Sequence, residues 1–201
     1  MNLTKIVFLI FTIFFSTLSF GDSITDFDMK MGGLTLGKDL NDYMSSEEIQ
    51  RGRKGLENLY SHLQEPKKFL SIQVVNHPIL NKKYRSIDIN YMEIEDKLVV
   101  HAITIGEEKS FSACKRDGMK MFDKLSQKFP NLKVINTDFT HPADKSGESK
   151  GVIAVFTDKA NNTAQIICTD WSEKLTKVNG WTDGFRFSLQ TKLFKLWADG
   201  S

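Results

Sequence analysis

The sequence predicts an α+β fold: a mostly antiparallel β-sheet, with a central amphipathic helix (about 110–129) packed on one face and an N-terminal helix (about 46–63). Three observations carry that expectation. The stretch from Ser110 to Phe129 places Phe111, Cys114, Gly118, Phe122, Leu125 and Phe129 at steps of three and four, which is one face of a helix. The runs on either side of it alternate polar and apolar residues with a period of two. The two cysteines, Cys114 and Cys168, fall on the apolar face of the helix and of one such run, so a bond between them ties helix to sheet.

Residues 1–21 stand outside that fold. Lys5 is the single cation before an apolar run from Ile6 to Phe15, broken only by Thr12, and Ser19 and Gly21 supply small residues for cleavage before Asp22. This is the pattern of a secretory leader, and the run is shorter than the ~18–20 residues a spanning helix needs. Residues 22–201 then make one α+β domain, long enough to bury a core.

Within that domain, Met31–Gly37 predicts a short strand between glycine turns, and Lys38–Met44 a single helical turn. Ser45 precedes Glu48 by three, the spacing of a capping box. Ile49, Leu56, Leu59, Tyr60 and Leu63 supply the stripe of the helix that follows. Gly52 and Gly55 each weaken it by up to about 1 kcal/mol relative to alanine. Phe69–Val75 reads as a strand. Tyr84–Ile94 alternates, with Ile87, Ile89 and Tyr91 on one side and Ser86, Asp88 and Asn90 on a wet side, and Lys97–Ile105 returns as its antiparallel partner. Ser110 caps the central helix and Pro130 stops it. Strands follow at Asn131–Thr137, Gly151–Thr157 and Thr163–Trp171, with a polar loop, Asp138–Lys150, after the first. Ser172–Asp183 reads as a loop, Phe185, Phe187 and Leu189 as a last strand, and Leu193, Leu196 and Trp197 as a short terminal helix.

The formal charge is +2, and removing Lys5 with the leader leaves +1. That balance gives no reason to expect a nucleic-acid partner, and a membrane is met only through the leader before cleavage. Two cysteines in an exported chain form one structural disulfide, here Cys114–Cys168.

Motifs for familiar chemistries are missing: there is no G-x-S-x-G, no H-E-x-x-H, no phosphate loop and no dinucleotide fingerprint. Reactive side chains gather in one loop, His141 to Ser149, where His141 and Asp144 are the catalytic candidates. As metal ligands they fall short of a closed site, so neither a metal nor a cofactor is expected. Trp181 sits in a Gly-Trp-Thr-Asp-Gly loop without apolar periodicity, and with Asp88 and Asn90 it forms the expected binding surface. The chain therefore reads as an exported, periplasmic or secreted, non-enzymatic binding protein: an inhibitor or envelope accessory factor with a protein partner. The alternatives are a small-ligand carrier with a cavity between helix and sheet, and a small hydrolase using the 141–149 loop.

Overall fold

The computed structural model describes residues 34–75 and 86–200. The leader with its cleavage point, residues 31–33 of the first expected strand, and the start of the expected strand at Tyr84 lie outside the described residues. Seven strands form one sheet: β1 (Leu70–Val75), β2 (Ser86–Ile94), β3 (Lys97–Glu108), β4 (Lys133–Thr140), β5 (Lys150–Thr157), β6 (Thr163–Asp170) and β7 (Gly184–Gln190). Their spatial order is β1-β2-β3-β7-β6-β5-β4, and every neighbouring pair is antiparallel. The helices are α1 (Ser46–Arg53), α2 (Phe111–Lys128), α3 (Glu173–Asn179) and α4 (Lys192–Ala198), with a 3-10 turn at Leu40–Asp42. The α+β class is as the sequence predicts.

The helix α2 forms where its periodicity places it. The Ser110 hydroxyl accepts from the Ala113 N–H, and Cys114, Gly118 and Leu125 are buried on one face. That face lies over β6 and β7. At Gly118 a Cβ would stand 3.4 Å from Ile166 Cγ2 and 3.5 Å from Cys168 Sγ, near ordinary contact, so the helix lies on β6 at a normal packing distance. Cys114 and Cys168 are bonded, with a Cα–Cα distance of 5.7 Å. On this helix face Ile72, Ile87, Ile89, Tyr91, Ile103, Ile105, Phe156 and Phe187 meet Leu40, Ile49, Cys114 and Leu125 in one core. The alternation along the strands is what sends these side chains to a common side.

A second, smaller core covers the opposite face over β1, β2 and β3. Its buried members are Phe69, Ala102, Phe194 and Trp197, with Tyr60 and Leu63 packed on them. A register shift between β2 and β3 leaves His101 as an extra residue between Val100 and Ala102. The His101 ring packs edge-on against Phe69 and its Nδ1 lies 2.9 Å from Thr191 Oγ1.

Four expectations are corrected. The N-terminal helix ends at Arg53, not at residue 63: Lys54 leaves helical geometry and Gly55 takes φ +86°, which only glycine adopts cheaply. Residues 56–68 continue as successive turns, and Tyr60 and Leu63 reach the second core from there, while Leu59 is 50% exposed. The described part of the expected strand at 31–37 is a turn, with Gly37 at φ +77°, although Leu34 and Leu36 are buried. The expected loop at 172–183 contains α3, capped by Ser172 and closed by the left-handed Gly180. In α4 the buried side chains are Phe194 and Trp197, while Leu193 and Leu196 are exposed.

Candidate functional site

The second core stops at β3. Beyond it, the face of β7, β6, β5 and β4 that points away from α2 has no helix across it among the described residues. Strand parity places Arg186, Ile167, Ile153, Val155, Thr137 and Ile135 there, alternating with the buried Phe187, Ile166, Cys168, Ala154 and Phe156 of the helix side. Ile153, Val155 and Ile167 are half-buried by their neighbours, and Ile135 is exposed.

One end of this open face is bounded by a row of rings. Phe139, His141, Trp171 and Trp181 follow one another with centroid separations of 5.9, 4.2 and 4.5 Å. Trp181 ends the row and is 37% exposed, so one side of its indole remains available. The rings are tilted by 49° to one another. They brace the 141–149 loop and the loop after α3 against each other, rather than forming a coplanar platform. Burial, then the charge of Arg186, hold the His141 imidazole below its ordinary value, with Asp144 acting in the opposite sense.

The polar loop is built around Asp144, which is buried. Its Oδ1 accepts from the Ser146 hydroxyl and N–H at 2.6 and 2.9 Å, and its Oδ2 from the Ser149 hydroxyl and N–H at 2.6 and 2.8 Å. Those bonds hold its carboxyl well below the usual carboxylate range. Ser149 Oγ in turn accepts from the Ser172 N–H, which links the loop to the start of α3. His141 Nδ1 accepts from the Ala143 N–H at 3.2 Å. His141, Asp144 and Ser146 thus share a loop without forming a relay: the carboxylate is saturated by serines, and the imidazole is turned to the backbone. A nucleophile needs a base aligned on it, and neither serine has one.

The expected binding residues separate. Trp181 lies at the rim of the open face. Asp88 lies on the same side of the sheet, half-buried, with Oδ1 accepting from Gln73 Nε2 at 2.9 Å. Asn90 is buried beneath Tyr60, and its Oδ1 accepts from the Tyr60 hydroxyl at 3.0 Å and from the Ser71 hydroxyl at 2.6 Å. The face expected to be wet at Asn90 is therefore covered, because the 56–69 segment and α4 fold over it. Sequence reasoning passed over Ile153, Val155 and Ile167. Their signal was present: β5 and β6 carry apolar residues at both parities, as strands do when both faces meet apolar neighbours.

Two hollows lie on the helix side. A crevice of about 90 Å³ runs between α2 and the strands, lined by Gly118, Met119, Phe122, Val152, Ala154 and Ile166. A wider, more open hollow of about 400 Å³ lies at the start of α2, lined by Phe111, Lys115, Asp138, Phe139, Lys150 and Val152. Near it, burial and the neighbouring Asp183 raise the Asp170 carboxyl. Among the described residues no group of three or more histidines, cysteines, aspartates or glutamates is arranged to hold a metal ion.

Fold and site together define the class: a disulfide-tied α+β protein with one seven-stranded antiparallel sheet, covered by helices on one side and half open on the other. Compared with known proteins, the chain matches no family model, no curated sequence and no solved structure.

Proposed function

We propose that this is an exported, non-enzymatic binding protein that grips a protein partner on the open half of its sheet. The observation that carries the reading is the unpaired apolar surface of Ile135, Ile153, Val155 and Ile167, bordered by the Trp181 ring and by Arg186. An apolar centre with an aromatic and an arginine at its margin is the composition of protein-recognition surfaces. Export is supported by the residues of the leader and by the intramolecular disulfide, which forms in oxidising compartments. No described helix is long and apolar enough to cross a membrane.

The carrier reading draws on the hollows beside α2. The crevice of about 90 Å³ is well short of the ~300 Å³ or more of a site that encloses a metabolite, and the adjoining hollow of about 400 Å³ is large enough but lies open to solvent rather than enclosed between helix and sheet. The hydrolase reading draws on His141 and Asp144, whose bonds are spent on the loop itself.

The test is chemical cross-linking in the exported fraction, followed by capture of the tagged protein. Wild type and a control altered on the outer side of α2, Lys124→Glu, capture the same partner. The double variant Val155→Lys/Ile167→Lys, with its fold verified by its unfolding transition, loses it. Undiminished capture by the double variant rejects the open face as the site.

A further inference from the structure

The two edges of the sheet are finished differently. At β1, α1 lies against the strand, close enough that a Cβ on Gly52 would stand 3.1 Å from the Gln73 carbonyl oxygen. At β4 no described strand pairs with the outer edge, and nearly every residue of the strand is exposed on both faces. Ile135 is 50% exposed and Val134 38%. Natural sheets blunt such edges with prolines, bulges or charges at their centre. In β4 the residues from Val134 to Thr137 have none of these; the strand's charges are Lys133 at its start and Asp138 beside its centre.

The ladder shows which backbone groups turn to the outer edge; one of them, the Asp138 carbonyl, also accepts from the Thr137 hydroxyl at 3.1 Å. The His141 N–H donates to the Ser149 carbonyl, so His141 is turned towards the β5 side. Successive residues of a strand turn their N–H and C=O groups to opposite edges. Ile135, Thr137 and Phe139 therefore bond β5, and Val134, Asn136, Asp138 and Thr140 present theirs outwards.

We propose that β4 pairs antiparallel with the β4 of a second copy, across a two-fold axis at Thr137, to give a dimer with one continuous sheet. Residues opposite one another in such a pair share a face, and the outward-turned residues must meet one another. The register centred on Thr137 sets Val134 against Thr140 and Asn136 against Asp138, each twice, so all four outward residues are satisfied in both copies. On the open face it sets Ile135 against Phe139, also twice, a pairing of β-branched and aromatic side chains that favours adjacent strands. Centring on Asp138 brings that carboxylate against its own copy, where like charges oppose pairing. Centring on Asn136 leaves Thr140 unpaired and sets Ile135 against Thr137. The strand is complementary to itself in one register, which selects a second copy as its occupant. Ile135 belongs both to this edge and to the open face, but the dimer is read on the purified protein alone and the partner by capture with Val155→Lys/Ile167→Lys, so failure of one is distinguishable from failure of the other.

Sedimentation of the disulfide-intact protein from about 1 μM to about 1 mM reads the association, since one short strand pair makes a small interface of modest affinity. Wild type is expected to pass from monomer to dimer. Ile135→Lys, at an exposed position, is expected to fold with an unchanged unfolding midpoint and to weaken the dimer by about 10-fold or more. Thr137→Cys is expected to form an intermolecular disulfide in a glutathione buffer, whereas Lys133→Cys, far from the axis, does not. A monomer throughout, a dimer indifferent to Ile135→Lys, or faster cross-linking at position 133 than at 137 overturns the proposal.

Discussion

Reduction of the Cys114–Cys168 bond is the sharpest perturbation of this fold. The two residues are 54 apart in sequence. Closing a loop of that length removes about 14 cal/mol/K from the unfolded chain in the chain-entropy treatment, or about 4 kcal/mol at 25 °C. Measured bonds commonly deliver less, so a loss of about 2–4 kcal/mol is expected. For a chain of this size that lowers the thermal midpoint by roughly 5–15 °C. Cys114 is fully buried and Cys168 is 3% exposed, so reductant reaches the bond only when α2 lifts from β6. Dithiothreitol added to the native protein should leave it oxidised for long periods. The assay therefore unfolds the protein in urea with reductant and refolds it in the same reductant. Urea midpoints of the reduced and oxidised forms are then compared, with mass spectrometry following the gain of two hydrogens. Equal midpoints refute the reasoning, as do two titratable thiols in the denatured protein before reduction.

Other substitutions read the packing and the charges. Gly118→Ala should raise stability by up to about 1 kcal/mol, because helix propensity favours alanine and the new methyl meets Ile166 and Cys168 near ordinary contact distance; a lower midpoint in urea refutes this. Gly151→Ala should cost about 1–3 kcal/mol, since its methyl would run into the Phe139 ring and stand 2.8 Å from the Cys168 carbonyl oxygen, and the ring can swing but the carbonyl cannot; an unchanged midpoint counts against the close approach. Burial holds His101 below its ordinary value of 6.5, so the unfolded chain takes up a proton that the folded chain refuses. Stability should therefore fall as pH drops below about 6.5, by at most about 1.4 kcal/mol per unit for this one proton, and the His101→Gln variant should show a shallower dependence in urea titrations at pH 7.5 and 5.5. Asp144→Ala should lower the thermal midpoint and speed proteolysis of the 141–149 loop, because the Ser146 and Ser149 N–H groups lose their acceptor; cleavage at the wild-type rate would return the loop to an ordinary solvated connection.

Elements that announce themselves locally were legible in the sequence. The stripe of α2, its Ser110 cap, the Ser45–Glu48 box and the shared parity of Ile166 and Cys168 each involve neighbours along one element, and the folded chain keeps all of them. The N-terminal helix misled because Leu56, Tyr60 and Leu63 keep helical spacing while packing in a succession of turns. Tyr60 and Leu63 are partly buried with Trp197, whose indole N–H donates to the Glu65 carbonyl across most of the chain's length, and no local pattern encodes that meeting. The same distant cover hides Asn90. Trp181 was legible as a surface residue because its glycine-flanked loop has no periodicity. Its packing on Trp171, which in turn meets His141, was not, since it depends on three separate loops converging.

The position of β7 has a consequence for how the molecule comes together in time. The last strand along the chain occupies the middle of the sheet and bonds β3 on one side and β6 on the other. A chain that emerges N-terminus first can assemble β1–β2–β3 as one hairpin series and β4–β5–β6 as another, but no described strand pairing joins the two until residues 184–190 arrive. Until then each half carries a bare inner edge, β3 in one and β6 in the other, and each bare edge is a template for the wrong strand. Insertion of a strand between two waiting edges closes contacts far apart in sequence, a topology that folds slowly and spends longest in states prone to aggregation. The protein is thus a clasp whose pin comes last: a chain stopped between residues 171 and 183 has both hairpin series but no described strand pairing between them, only α2 and the Cys114–Cys168 bond.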